Sequence, residues 1–223
     1  MRIFPALRIG VLIAAAGLCV QGQTTPGKEA PKEAQSETKG LPPRTAPGEY
    51  QAHAKAGAVT IGAEFKGHSI PTMQGTLTTE DYVIVEIGMF GAPDAKLVLA
   101  LGDWSLRVNG KKTPLESQPY GLVIRSVKDP EYEAPVPAKS KTSLGGGGQE
   151  AGEPAPSPPP IPIGVQRAMA QRVQKSSLPE GDRPLPQAGL IFFQYRGKTK
   201  GIHSLELIYA GAAGKATLTL QTE

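Results

Sequence analysis

Cysteine is almost missing from this chain of 223 residues. Cys19 is the only one, and it falls in a segment read below as a cleaved leader, so the mature chain holds none. Such a chain needs no disulfide machinery and cannot build a thiolate metal site. Aromatic residues are scarce as well, at 5% with a single Trp. No cluster of Lys or Arg interleaves with them. The net charge of +4 and pI near 9.1 therefore read as a mildly basic solvated surface, and nucleic-acid binding is not expected. The one conspicuous apolar run, residues 9–20, is too short for the ~20 residues a membrane helix needs.

The motifs of common chemistries are missing too. There is no Gly-x-Ser-x-Gly elbow; the nearest serine context is Gly67-His68-Ser69-Ile70. His203 and Ser204 are neighbours in an expected strand, so their side chains point to opposite faces and make no base–nucleophile pair. Residues 210–216 lack the first glycine and the Ser or Thr of a phosphate loop. No zincin or EF-hand spacing occurs, and the adjacent carboxylates Glu80 and Asp81 read as a solvated turn end. From these absences we expect a non-catalytic protein without a cofactor.

Glycine (27) and proline (22) are abundant and unevenly spread. Residues 1–22 resemble a secretory signal: Arg2 and Arg8 precede the apolar run, and cleavage is expected before Gln23. Lipidation at Cys19 is the alternative, though the bulky Leu18 before it suits that processing poorly. Residues 23–48 hold few apolar side chains and read as a disordered tether. Residues 128–163 carry four consecutive glycines and the Pro-rich stretch 154–162, and read as a disordered insertion.

Between these segments the period is two. Val83, Val85 and Ile87 alternate with Tyr82, Ile84 and Glu86, as in a central strand with both faces covered. Leu97, Leu99 and Leu101 alternate with polar or small neighbours. So do Trp104, Leu106 and Val108, and Asn109-Gly110 is a strong tight-turn signal. Further strands are expected around 59–63, 121–127, 190–195, 204–209 and 216–220, with turns at 185–189 and 211–214. Residues 111–120 read as a polar return. Residues 164–178 read as a short helix, with Val165, Ala168, Met169 and Val173 on one side and Arg172 among them. The expected fold is an all-β antiparallel sandwich, immunoglobulin-like, with parts at 49–127 and 179–223 and one inserted helix.

The order of strands 82–87, 99–110 and 185–193 is similar to the telokin-like, immunoglobulin-like extracellular domains of bacterial secreted proteins and lipoproteins. The resemblance spans about residues 55–127 and 183–221. It implies a β-sandwich outside the cytoplasm, periplasmic or extracellular, and brings no active-site residues.

Two sets of site residues follow. A partner protein of the envelope or secreted space would dock on the helix through Val165, Arg167, Met169, Arg172 and Val173, or on the Pro-rich stretch or a sheet edge. The alternative is a copper-type metal-binding or chaperone-like periplasmic protein, using the soft and borderline ligands His53, His68, Met73 and Met89. Contact with a membrane would come only through the leader or a lipid on Cys19.

Overall fold

The computed structural model describes residues 39–132 and 161–222. In chain order its strands are β1 (Ala52–Ala56), β2 (Val59–Gly67), β3 (Ser69–Thr72), β4 (Gly75–Thr79), β5 (Tyr82–Phe90), β6 (Lys96–Leu99), β7 (Trp104–Val108), β8 (Leu115–Gln118), β9 (Val127–Lys128), β10 (Gly181–Pro184), β11 (Gln187–Gln194), β12 (Leu205–Gly211) and β13 (Gly214–Leu220). A one-turn helix α1 (Tyr120–Val123) and the longer α2 (Ile163–Ser176) complete the set.

Eight strands form one antiparallel sheet in the order β1-β2-β5-β11-β8-β7-β12-β13. Its two end strands lie side by side. Gln51 Nε2 donates to the Gln221 carbonyl at 3.0 Å, and at the other end Gly57 packs against the Ala213 carbonyl. The sheet therefore curls nearly into a barrel. Strand β8 is its corner: Leu115 and Glu116 pair with Leu106 and Ser105 of β7, whereas Ser117 and Gln118 pair with Phe193 and Phe192 of β11. An antiparallel β fold with one short helix is what the sequence led us to expect. The continuous curled sheet differs from two separate sheets, because β8 passes its hydrogen bonds from one ladder to the other within four residues.

β5 is buried on both faces, as its near-continuous apolar run requires. Val83, Val85, Ile87 and Met89 point into the barrel with Ile61, Ile191, Phe193, Leu106 and Leu207. On the outer face Tyr82 and Ile84 join Leu190 and Phe192 of β11 under a second layer. That layer consists of Ile70 and Leu77 from the β3–β4 hairpin, Val123 of α1, Val127 of β9, and Met169 and Val173 of α2. Each such side chain, taken fully from water, contributes about 1.5–3 kcal/mol.

Two backbone positions show why particular residues stand there. Asn109 and Gly110 both take positive φ, 53° and 65°, the geometry their dipeptide favours. Gly189 lies inside β11, where a Cβ would fall 2.5 Å from Leu178 Cα. The absent side chain lets Leu178 donate its N–H to the Leu190 carbonyl at 3.0 Å and cover the edge of β11.

Several expectations need correction. Residues 121–127 do not form one strand: α1 runs into a 3-10 turn at Ile124–Ser126, and only Val127 and Lys128 are extended. Buried Val123 and half-buried Tyr120, three residues before it, share one side of α1, so the apolar period there is helical; Leu122 stays 44% exposed. The expected turn at 185–189 gives up its last three residues to β11, and the polar return at 111–120 contains β8. The part of the tether at 39–48 is folded. Leu41 pairs with Ala188, and Arg44 is drawn onto the sheet by two carboxylates described below. The insertion begins later than expected, since Lys128 belongs to β9 and Asp129 closes a turn on Tyr132 N at 3.2 Å. The leader, Cys19, tether residues 23–38 and insertion residues 133–160 lie outside the described residues.

Candidate functional site: a basic cleft beside His68

β2 ends at Gly67, whose φ of +60° turns the chain off the sheet. His68 follows and bridges two elements. Its Nδ1 is 2.7 Å from the Tyr82 carbonyl at the start of β5, and its Nε2 is 3.0 Å from the Gly197 carbonyl in the link between β11 and β12. Both partners are carbonyl oxygens, which accept from a ring N–H. His68 thus ties the β11–β12 link to the sheet and places it.

Along that link Arg196, Lys198 and Lys200 are exposed, while Tyr195, Gly197 and Thr199 between them are half-buried. All three cations face solvent, Arg196 and Lys198 from irregular chain and Lys200 from the 3-10 turn Thr199–Gly201. They wall an open cleft of about 640 Å³, with His68, Thr78, Thr79 and Glu80 on the other side. Arg196 Nε is 3.1 Å from Asp81 Oδ1. Lys128 Nζ is 2.7 Å from Glu80 Oε1, and that bond holds the Glu80 carboxyl below the usual carboxylate range. The side-chain ammonium groups of Lys198 and Lys200 have no ion-pair or hydrogen-bond partner among the described residues.

The neighbouring charges are arranged differently. Glu64 and Glu86 stand directly opposite each other on β2 and β5, a repulsive placement if left alone. Two cations bridge both. Arg44 bonds the Glu64 carboxylate and lies 3.3 Å from Glu86, while Lys66 Nζ sits 2.6 Å from Glu64 and 3.1 Å from Glu86. Burial works against ionised Glu64, but the bonds from Lys66 and Arg44 outweigh it and hold its carboxyl below the usual range. The Arg44 guanidinium also stacks 4.4 Å above the Tyr50 ring. Two cations and two carboxylates balance here, and a carboxyl held ionised is a poor proton donor. The cluster anchors residues 44–50 to the sheet.

The four ligand candidates are not brought together. His53 is exposed on β1, and Met73 is 76% exposed at the tip of the β3–β4 hairpin. Met89 is fully buried in the barrel, and both nitrogens of His68 face carbonyls. Among the described residues no group of three or more His, Cys, Asp or Glu side chains could hold a metal ion.

On the helix, Met169 and Val173 are buried in the outer layer and Val165 packs partly against it. Arg172 reaches Asp129 Oδ2 at 2.6 Å and the Gln74 carbonyl at 2.9 Å. Only Arg167 of these five is exposed. The cations at 196, 198 and 200 escaped the sequence reading. Their spacing of two was the available signal.

Comparison with family models, with curated proteins and with solved structures finds no match to this chain.

Proposed function

We propose that this protein is an exported, non-catalytic binding module of the bacterial cell envelope, and that its contact surface is the cleft beside His68. The observation that carries the proposal is the contrast in charge pairing. The Arg44–Glu64–Glu86–Lys66 cluster and the Arg172–Asp129 pair serve the fold, whereas the ammonium groups of Lys198 and Lys200 line an open cleft with no partner among the described residues. Export rests on the leader-like residues 1–22. The immunoglobulin-like reading within the telokin-like group belongs to the same proposal. It is supported by the role of β8, which divides the large sheet into a ladder β1-β2-β5-β11 and a ladder β7-β12-β13 across one core.

A photo-reactive residue in place of Thr78, which lines the cleft, tests the surface in intact cells. The expected result is one discrete crosslinked envelope macromolecule, absent from a probe at the exposed Val98 of β6. A product at Val98 and none at Thr78 would move the binding surface to the β6–β10 ribbon.

A further inference from the structure

We infer that the cleft is an oxyanion site and that its ligand is an acidic glycan, a sugar chain carrying sulfate, phosphate or uronate groups. This rests on the cleft being the contact surface, and it names the chemistry of what enters. Arg196, Lys198 and Lys200 project from one side of a short link, and Lys128 adds a fourth cation beyond Glu80. Against them stand two carboxylates, Glu80 and Asp81, each bonded to one of those cations. Lys198 and Lys200 remain, among the described residues, as two ammonium groups lining the same cleft, each with three donors and no acceptor bound to it. Their match is a ligand with at least two anionic oxygens in reach of both.

The walls decide which polyanion fits. A protein partner is usually gripped by an aromatic or aliphatic anchor seated in an apolar pocket. This lining has none, being Thr78, Thr79, Thr199, Gly197, His68 and charged residues. Single-stranded nucleic acid binds through bases stacked on aromatic rings; no Phe, Tyr or Trp lines the cleft, and the one ring that does, His68, has both nitrogens engaged by carbonyls. An anionic membrane would want an apolar rim to insert. The large exposed apolar side chains, Met73, Val98, Leu122 and Ile163, do not line the cleft. A hydrophilic chain with repeated anionic groups asks only for spaced cations and small polar neighbours. The loop supplies that arrangement and His68 holds it in place.

The test uses the purified full chain and a size-defined sulfated hexasaccharide as probe, followed by calorimetry at low and moderate salt. The expected result is saturable 1:1 binding that weakens as salt rises, as counterion release requires. Lys198→Ala with Lys200→Ala should lower the affinity about tenfold, the size expected for two exposed charge contacts. Both side chains are exposed, so this variant keeps its fold; Lys215→Ala, an exposed position on β13, is the control and should bind as the parent does. Equal affinity in the double variant, or no saturable binding at low salt, overturns the glycan assignment. If the hexasaccharide fails while the Thr78 probe still captures a discrete protein, the glycan falls and the binding module stands. Failure of both removes the cleft as a contact surface.

Discussion

Asp103 ends the 3-10 turn Leu101–Asp103, and its carboxyl converges with the Tyr209 hydroxyl on Gly211. A Cβ on Gly211 would fall 2.2 Å from Asp103 Oδ2 and 2.7 Å from Tyr209 Oη, so glycine is what lets both polar ends in. Tyr209 stacks on Trp104 with ring centroids 4.7 Å apart, and its hydroxyl accepts the Ala213 N–H at 3.2 Å. Burial pushes the Asp103 carboxyl above its ordinary value. The Tyr209 hydroxyl is pushed up by its own burial and further by Asp103. For a carboxyl raised on folding, the native state binds more protons than the unfolded chain between the two pKa values. Stability therefore falls as pH rises through that window, and the cost is fully present above it. Asp103→Asn should raise the melting temperature at neutral pH by about 1–2 °C. The advantage should shrink as the pH drops through the carboxylate range. Calorimetric melts of both proteins at neutral and acidic pH check this, and an Asn variant that melts lower at neutral pH would refute it.

Helix α2 shows how an element of modest intrinsic stability is held. Fourteen residues are marginal for an isolated helix, no side chain caps its N-terminus, and its first turn has no acidic residue. Docking must supply the rest. Met169 and Val173 enter the outer layer, and Arg172 stretches over Gly75 to Asp129, Gln74 and Thr72. The Arg172 and Asp129 side chains are each only 14% exposed. Removing one partner leaves the other charge poorly hydrated, and Arg172→Ala should cost about 2 kcal/mol. The Arg107–Glu206 pair has a similar length, 2.7 Å, but both side chains are more than a third exposed. Arg107→Ala should therefore stay within about 0.5 kcal/mol. Urea midpoints of the two variants measure the difference, and equal losses would show that the clasp on α2 contributes nothing special.

At the scale of the molecule, β5 and β11 belong to both hydrophobic clusters, one on each face. The outer layer cannot lose its floor without the barrel opening, nor can the barrel lose these two strands without releasing α2. We expect one cooperative transition. Trp104, the single tryptophan, is 2% exposed inside the barrel and reports that core, whereas far-ultraviolet dichroism reports strands and helix together. The two signals should trace the same urea curve. A dichroism change that precedes the fluorescence change would show the outer layer melting as a separate unit.

Much of the barrel was legible because alternation is a local property. Val83 through Ile87, the Trp104–Val108 strand and the last hairpin follow from side chains that take opposite faces at every step. The helix at 163–176 was readable for the same reason, from a period of 3.6. What was not local was not readable. Leu115–Gln118 has no apolar alternation, and it is a strand only because β7 and β11 offer backbone partners on its two sides. Arg44 lies in a polar stretch with the composition of a tether, and only the crowding of Glu64 against Glu86 across a sheet gives it a reason to fold down. The cleft is of the same kind. The chain alone determined that Arg196, Lys198 and Lys200 alternate; the His68 bridge to Gly197, made across 129 residues of sequence, decided where that row of cations faces. A sequence pattern sets which side chains share a side, but the partner that satisfies a buried charge or an open hydrogen bond is chosen by tertiary proximity.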